Sequence, residues 1–164
     1  MSLYQTQKVN KMITARETID DLILKEAKEI IIGRMRRPGG MIRDIDTVAQ
    51  YLQMEYGLLE NEQFGCMFMD QNYALINHKK LFRGTISECA TYPREIAREA
   101  LLQNATYVVL VHNHPAYDRR PSQTDVDMTL QIKEILAVLN IVLFDHIIVA
   151  GPLFTSMRAS GHLL

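Results

Sequence analysis

Hydrophobic positions along this chain change their period more than once, and the changes mark out its elements. Residues 1–13 hold no sustained pattern and read as a loose or partner-dependent arm. Thr14-Ala15-Arg16-Glu17 has the form of a capping box, and Ile19, Leu22, Ile23, Ala27, Ile30 and Ile31 then recur at helical spacing. Pro38-Gly39-Gly40 stops that helix near Arg37. A second helix is predicted from about Asp46 to Tyr56, with Val48, Leu52 and Tyr56 on one face and Gly57 at its end. The period then shortens. Phe64 to Met69 and Tyr73 to Ile76 are apolar runs on either side of Asp70-Gln71-Asn72, the pattern of an antiparallel pair. Pro93, preceded by Thr91 and Tyr92, opens a third helix with a buried stripe of Ile96, Ala97, Ala100 and Leu101, ending near Asn104. A strand over 106–112, a helix over 122–139 and strands at Ile141–Val149 and Leu153–Met157 complete the chain. The order α-α-β-β-α-β-α-β-β argues for an α/β fold, a sheet packed by helices on its faces.

Chemistry concentrates in one stretch, Val108 to Asp125. Five apolar residues, Tyr107 to Val111, run into His112-Asn113-His114-Pro115, and ten residues separate His114 from Asp125. Side chains alternate along a strand, so His112 and His114 point the same way, one pleat apart. Pro115 cannot donate to a ladder and marks the strand's end. Pro121-Ser122-Gln123-Thr124-Asp125 opens a helix whose first turn can turn a carboxylate back toward the imidazoles. Two neutral imidazoles and one carboxylate form a common catalytic zinc set, because three protein ligands leave a fourth position for water. Zinc-bound water ionises near neutral pH. The plainer reading is a structurally satisfied histidine pair beside a Ser122–Asp125 capping box. The two are compatible, since Ser122 can cap the helix while Asp125 faces a metal.

His112-x-His114-Pro115, six residues, Ser122, two residues and Asp125 resemble the JAMM motif of the MPN/JAB metalloprotease superfamily. Leu81-Phe82-Arg83-Gly84-Thr85, Pro93-Arg94-Glu95-Ile96 and Asp145-His146 are similar to its bacterial RadC-like branch. The resemblance covers about residues 45–160. It implies a cytidine-deaminase-like α-β-α sandwich with a mixed, curved sheet, in a metallohydrolase domain over 45–164 behind an N-terminal arm and helix over 1–44. It also implies zinc held by His112, His114 and Asp125, and hydrolysis of a peptide or isopeptide bond. In that scheme Glu62 is the general base, with Glu60 the fallback, and Ser122 stabilises the oxyanion. Ala116-Tyr117 stands where the branch has Ser-Gly, and residues 1–44 lack the glycine-hairpin pattern of the DNA-engaging region in longer relatives. A non-catalytic binding module and a DNA-repair accessory are the alternatives.

Composition narrows the picture further. The 164 residues are 48% hydrophobic and 23% charged with a formal charge of −1, so no global attraction to nucleic acid or an anionic membrane is expected. No apolar run reaches the length of a membrane span, and the N-terminus lacks a signal-peptide core. Cys66 and Cys89 read as free thiols in a reducing compartment, and the expected location is cytoplasmic. Expected partners are a peptide or protein substrate, ubiquitin-like or sulfur-carrier-like, and a second copy of the chain through the apolar helix 17–35. Asp145-His146 reads as a core pair satisfied by hydrogen bonds, and His78 and His162 as surface histidines. Arg34, Arg36 and Arg37 read as a solvated face. Arg119 and Arg120, in the loop between the candidate ligands, read as exposed side chains or as receivers of a substrate carboxylate.

Overall fold

A computed structural model describes residues 18–41, 45–84 and 92–163 of the chain. The arm, the capping box at 14–17, Cys89 and Thr91 lie outside the described residues. Within them the elements follow the expected order: α1 (Ile19–Met35), α2 (Ile45–Tyr56), β1 (Gln63–Met69), β2 (Leu75–Arg83), α3 (Pro93–Leu102), β3 (Tyr107–Asn113), α4 (Gln123–Val138), β4 (Val142–Ala150) and β5 (Leu153–Ser156).

Local chemistry sets the helix ends. A capping box opens α1 at Thr18, whose Oγ1 accepts from Asp21 N at 3.2 Å while Asp21 Oδ2 accepts from Thr18 N at 2.9 Å. Asp20 and Asp21 also place negative charge at the positive end of the helix dipole. Pro93 occupies the first turn of α3, where its missing N–H has no helical partner to lose. Both α3 and α4 stop at asparagines in the left-handed region, Asn104 (φ 51°) and Asn140 (φ 57°). The next amides turn back, Ala105 N to Ala100 O and Ile141 N to Leu136 O, each at 3.0 Å.

The sheet has the order β2-β1-β3-β4-β5. The β3–β4 pair is parallel and the other three pairs are antiparallel, so the sheet is mixed. One face carries Phe64, Cys66, Phe68, Val108, Leu110 and Ile148, covered by Ile96, Ala97 and Ala100 of α3 and by Ile132 and Leu136 of α4. The opposite face carries Met67, Met69, Val109, Val111, Ile147 and Val149, covered by Met35 of α1 and by Val48, Leu52 and Tyr56 of α2. Helices on both faces of one mixed sheet make the α/β architecture that the element order predicted. Of α1's apolar residues, Ile31 and Ile32 pack inward while Ile19, Leu22, Ile23 and Ile30 stay exposed. No helix among the described residues is long and apolar enough to cross a membrane.

Two sequence expectations need correction at β2. The strand does not stop at Ile76 but continues through Asn77-His78-Lys79-Lys80 to Arg83. Nor is His78 a surface histidine: Tyr51 Oη lies 2.9 Å from its Nδ1 and Tyr56 Oη 2.9 Å from its Nε2. Each polar side chain of the run finds a partner remote in sequence. Lys79 Nζ meets Glu99 at 2.7 Å, and Lys80 Nζ meets Glu55 at 3.2 Å.

Candidate metal centre

Strand β3 lies in the middle of the sheet, with His112 opposite Phe64 on one side and Ile148 on the other. Burial on both faces makes this end of β3 a rigid platform. His112 is buried and His114, just past the strand end, is half-buried. As the alternation predicts, their rings converge, with the two Nε2 atoms 2.8 Å apart. Asp125 reaches both from the first turn of α4: Oδ1 lies 3.2 Å from His112 Nε2, and Oδ2 lies 3.4 Å from His114 Nε2. Three ligand atoms around one tetrahedral zinc at about 2.0–2.1 Å stand about 3.3 Å from one another. The three side chains stand close enough, at 2.8–3.4 Å, to share a single zinc ion.

Their donor chemistry fits as well. His114 Nδ1 lies 2.6 Å from the Asp118 carbonyl oxygen, which can only accept, so Nδ1 carries a proton and Nε2 is the nitrogen left to bind a metal. Burial alone would raise the Asp125 pKa, but the close approach of the His112 and His114 rings, with the Ser122 hydroxyl, holds it far below the usual carboxylate range. The same bond to Asp125 raises His114 against the opposing effect of its burial. A carboxylate that stays ionised and imidazole nitrogens aimed at one point make a cation-seeking cluster.

Glu62 completes the group. One carboxylate oxygen of Glu62 and one ring nitrogen each of His112 and His114 all lie within 4.8 Å of one another. Glu60 is exposed and belongs to no such group among the described residues. The segment carrying Glu62 is held by Asn113, a buried residue that sequence reasoning passed over. Asn113 Oδ1 accepts from Gln63 N at 2.8 Å, and its Nδ2 donates to Asn61 O at 3.1 Å and Leu59 O at 3.3 Å. The signal was available in principle, since a polar residue between two histidines on a buried strand must satisfy its amide on the opposite face.

Ser122 is the N-cap of α4, and its Oγ accepts from Asp125 N at 3.1 Å. In return Asp125 Oδ2 accepts from Ser122 N at 2.8 Å and from Ser122 Oγ at 2.7 Å. The capping box thus orients the carboxylate toward the histidines. The other groups missed in the sequence stand behind His112. His146 Nε2 lies 2.8 Å from His112 Nδ1, and Thr129 Oγ1 lies 2.6 Å from His146 Nδ1. Phe64 closes this side, stacked on the His112 ring at 6.0 Å and edge-on to His146 at 5.6 Å. Asp145 is turned away and holds the chain after β5, accepting from Ser156 Oγ at 2.5 Å and Arg158 N at 3.0 Å.

In the loop between the ligands, Arg120 is exposed and paired with Asp118 at 2.7 Å, and Arg119 is exposed. Tyr117 holds a left-handed backbone (φ 60°) that suits the glycine of the RadC-like pattern better than a tyrosine. Its ring lies over Gly151 and leaves no room there for a Cβ.

The chain is similar to a described family and to several known proteins. A family described as the RadC-like JAB domain matches residues 42–162. A UPF0758 protein of Vibrio cholerae is 35% identical over 154 residues, 94% of this chain and 96% of that protein. A UPF0758 protein of Cupriavidus taiwanensis is 36% identical over 134 residues, 82% of this chain, and one of Ruegeria pomeroyi is 38% identical over 149 residues, 88% of this chain. The matches span 58% and 65% of the length of those last two proteins. With a matched domain over most of its length and a full-length relative above 30% identity, the chain belongs to the RadC-like JAB domain family.

Proposed function

We propose that the protein is a zinc-dependent hydrolase of amide bonds, acting on a peptide or on an isopeptide-linked protein. The observation that carries this reading is the convergence of His112 Nε2, His114 Nε2 and the ionised Asp125 carboxylate within 2.8–3.4 Å, with Glu62 beside them. Those three residues would hold the ion. When bound, zinc supplies a nucleophile at neutral pH by acidifying water and Lewis acidity toward a carbonyl oxygen. Glu62 takes the proton on its carboxylate and returns it to the departing amine. Ser122 donates its hydroxyl proton to the oxyanion that develops, turning from the Asp125 oxygen it meets in this structure. Asn113 keeps the Glu62 segment at its distance from the histidines.

The test is metal content and turnover measured together. About one zinc per chain is expected in the parent protein and none in the His112→Ala/His114→Ala variant. Glu62→Gln should keep the zinc and lose turnover on peptide and isopeptide substrates. A parent protein that takes up no zinc at neutral pH overturns the metal reading. A Glu62→Gln variant with full turnover removes Glu62 from the mechanism, and zinc bound without hydrolysis of any such substrate leaves a binding module in its place.

A further inference from the structure

We propose that His146, held by Thr129, is a positioning residue that fixes the tautomer of His112 and so keeps its Nε2 lone pair directed into the ligand cluster. Hydrogen-bond direction is set here by a group that cannot reverse. Thr129 Oγ1 lies 2.5 Å from the main-chain carbonyl oxygen of Asp125. A carbonyl only accepts, and two oxygens at that distance with no proton between them repel, so the single hydroxyl proton of Thr129 is committed there. Thr129 Oγ1 then accepts at its contact with His146 Nδ1, 2.6 Å away, so His146 carries its proton on Nδ1. The remaining nitrogen of His146, Nε2, becomes an acceptor, and the partner 2.8 Å away is His112 Nδ1. His112 is thereby the Nδ1–H tautomer, and its Nε2 accepts at the 2.8 Å contact with His114 Nε2, so in the metal-free protein the proton between those two nitrogens belongs to His114.

Burial closes off the alternatives. Thr129 and His146 are fully buried, His112 is 2% exposed, and no buried side-chain polar atom among the described residues lacks a partner. If the chain of bonds ran the other way, His146 would donate to His112 Nδ1, and a neutral His112 would carry its proton on Nε2, where no metal could be held. The path also closes on itself: the carbonyl that orients Thr129 belongs to Asp125, the residue whose carboxylate faces His112. One residue therefore contributes a ligand group and, through its main chain, sets the donor direction of a second ligand. Partners of this kind behind a metal-bound imidazole set its tautomer and ring orientation and typically change affinity by about 10–100-fold when lost.

The consequence for zinc rests on the hydrolase reading above, but the tautomer does not, and the experiment separates the two. Metal-free protein labelled with ¹⁵N at histidine reports, at mildly alkaline pH, which nitrogen of each neutral ring carries the proton. His112 and His146 should both appear as Nδ1–H tautomers. A parent spectrum with His112 protonated at Nε2 overturns the proposal, whatever the variants do. Zinc affinity by chelator competition then tests the coupling. Thr129→Val, nearly isosteric but without the hydroxyl, should weaken zinc by about 10–100-fold and lose the fixed His146 tautomer. Thr129→Ser should restore both, which a purely packing role for Thr129 would not require. Equal zinc affinity in Thr129→Val and Thr129→Ser overturns the positioning role while leaving the hydrolase reading intact. A parent protein without zinc but with both Nδ1–H tautomers overturns the hydrolase reading and supports the hydrogen-bond relay.

Discussion

Two histidines, one on each face of the sheet, are both shielded and doubly bonded and differ in what they serve. His78 faces α2, with both ring nitrogens bonded to the phenol oxygens of Tyr51 and Tyr56 at 2.9 Å. His146 faces α4, with both ring nitrogens bonded at 2.8 and 2.6 Å. Burial lowers the pKa of each. A buried, neutral, doubly bonded histidine is thus no functional signal in itself. The partners make the difference. His78 ends in two phenols whose pKa values burial pushes up, so its network stays within the α2 core. His146 ends in a candidate metal ligand.

Acid should weaken the fold through His78. Burial, with Lys80 adding to it and Glu55 opposing, brings its pKa down to about 4 from the ordinary 6.5. The unfolded chain therefore binds the proton first. The contribution of the neutral ring is intact above about pH 6.5, declines as pH falls toward about 4, and amounts to at most about 3 kcal/mol. Denaturant unfolding of the metal-free protein across that window should show the decline, and His78→Gln should flatten it. An unchanged slope in the variant would assign the acid sensitivity elsewhere.

Zinc sharpens the contrast between the two rings. His146→Gln offers an amide oxygen to His112 and should keep most of the affinity, whereas His146→Leu offers nothing and should lose about 10–100-fold. His78→Leu should leave zinc affinity at the parent value while lowering stability. A metal loss at His78 equal to that at His146 would erase the distinction. Tyr56→Phe is expected to be milder. It removes one bond to the His78 ring and should cost about 1–3 kcal/mol in thermal or denaturant unfolding, with no effect on zinc.

What the sequence made legible follows the range of the interaction involved. Helix periods, proline and asparagine stops and the Ser122–Asp125 cap are local, and the order of elements read from them is the order observed. The same-face placement of His112 and His114 is also local, since it needs only the pleat. The relay behind His112 was hidden because Thr129 and His146 are 17 residues apart and join His112 only when α4 packs on β4. Asp145-His146 read as a satisfied core pair; that reading holds for His146's hydrogen bonds but gave no hint of its partner. Asn113 was overshadowed by its neighbours, although its alternation alone sends it to the face where the Glu62 segment lies. The N-cap of α1 is Thr18, where Thr18-Ile19-Asp20-Asp21 supplies the reciprocal bonds; the pattern at 14–17 lies outside the described residues.

The polar run in β2 is the clearest case of a pattern overruled from a distance, and it carries the smallest predicted effect. Asn77-His78-Lys79-Lys80 breaks the apolar alternation, so from sequence the strand ends at Ile76. In the fold its side chains divide between the faces: His78 and Lys80 go to α2 and Glu55, while Lys79 goes to Glu99 of α3. The Lys79–Glu99 pair is short, but the lysine side chain is 38% exposed. Water screens such a pair, so its coupling should be about 0.2–1 kcal/mol and should shrink with added salt. A double-mutant cycle of Lys79→Met and Glu99→Gln, read by denaturant unfolding, measures it. Its apolar stem, laid along the sheet, accounts for the residue's place in the strand if the coupling falls in that range. A coupling several times larger would mean that the ion pair, not strand pairing with β1, keeps β2 extended beyond Ile76.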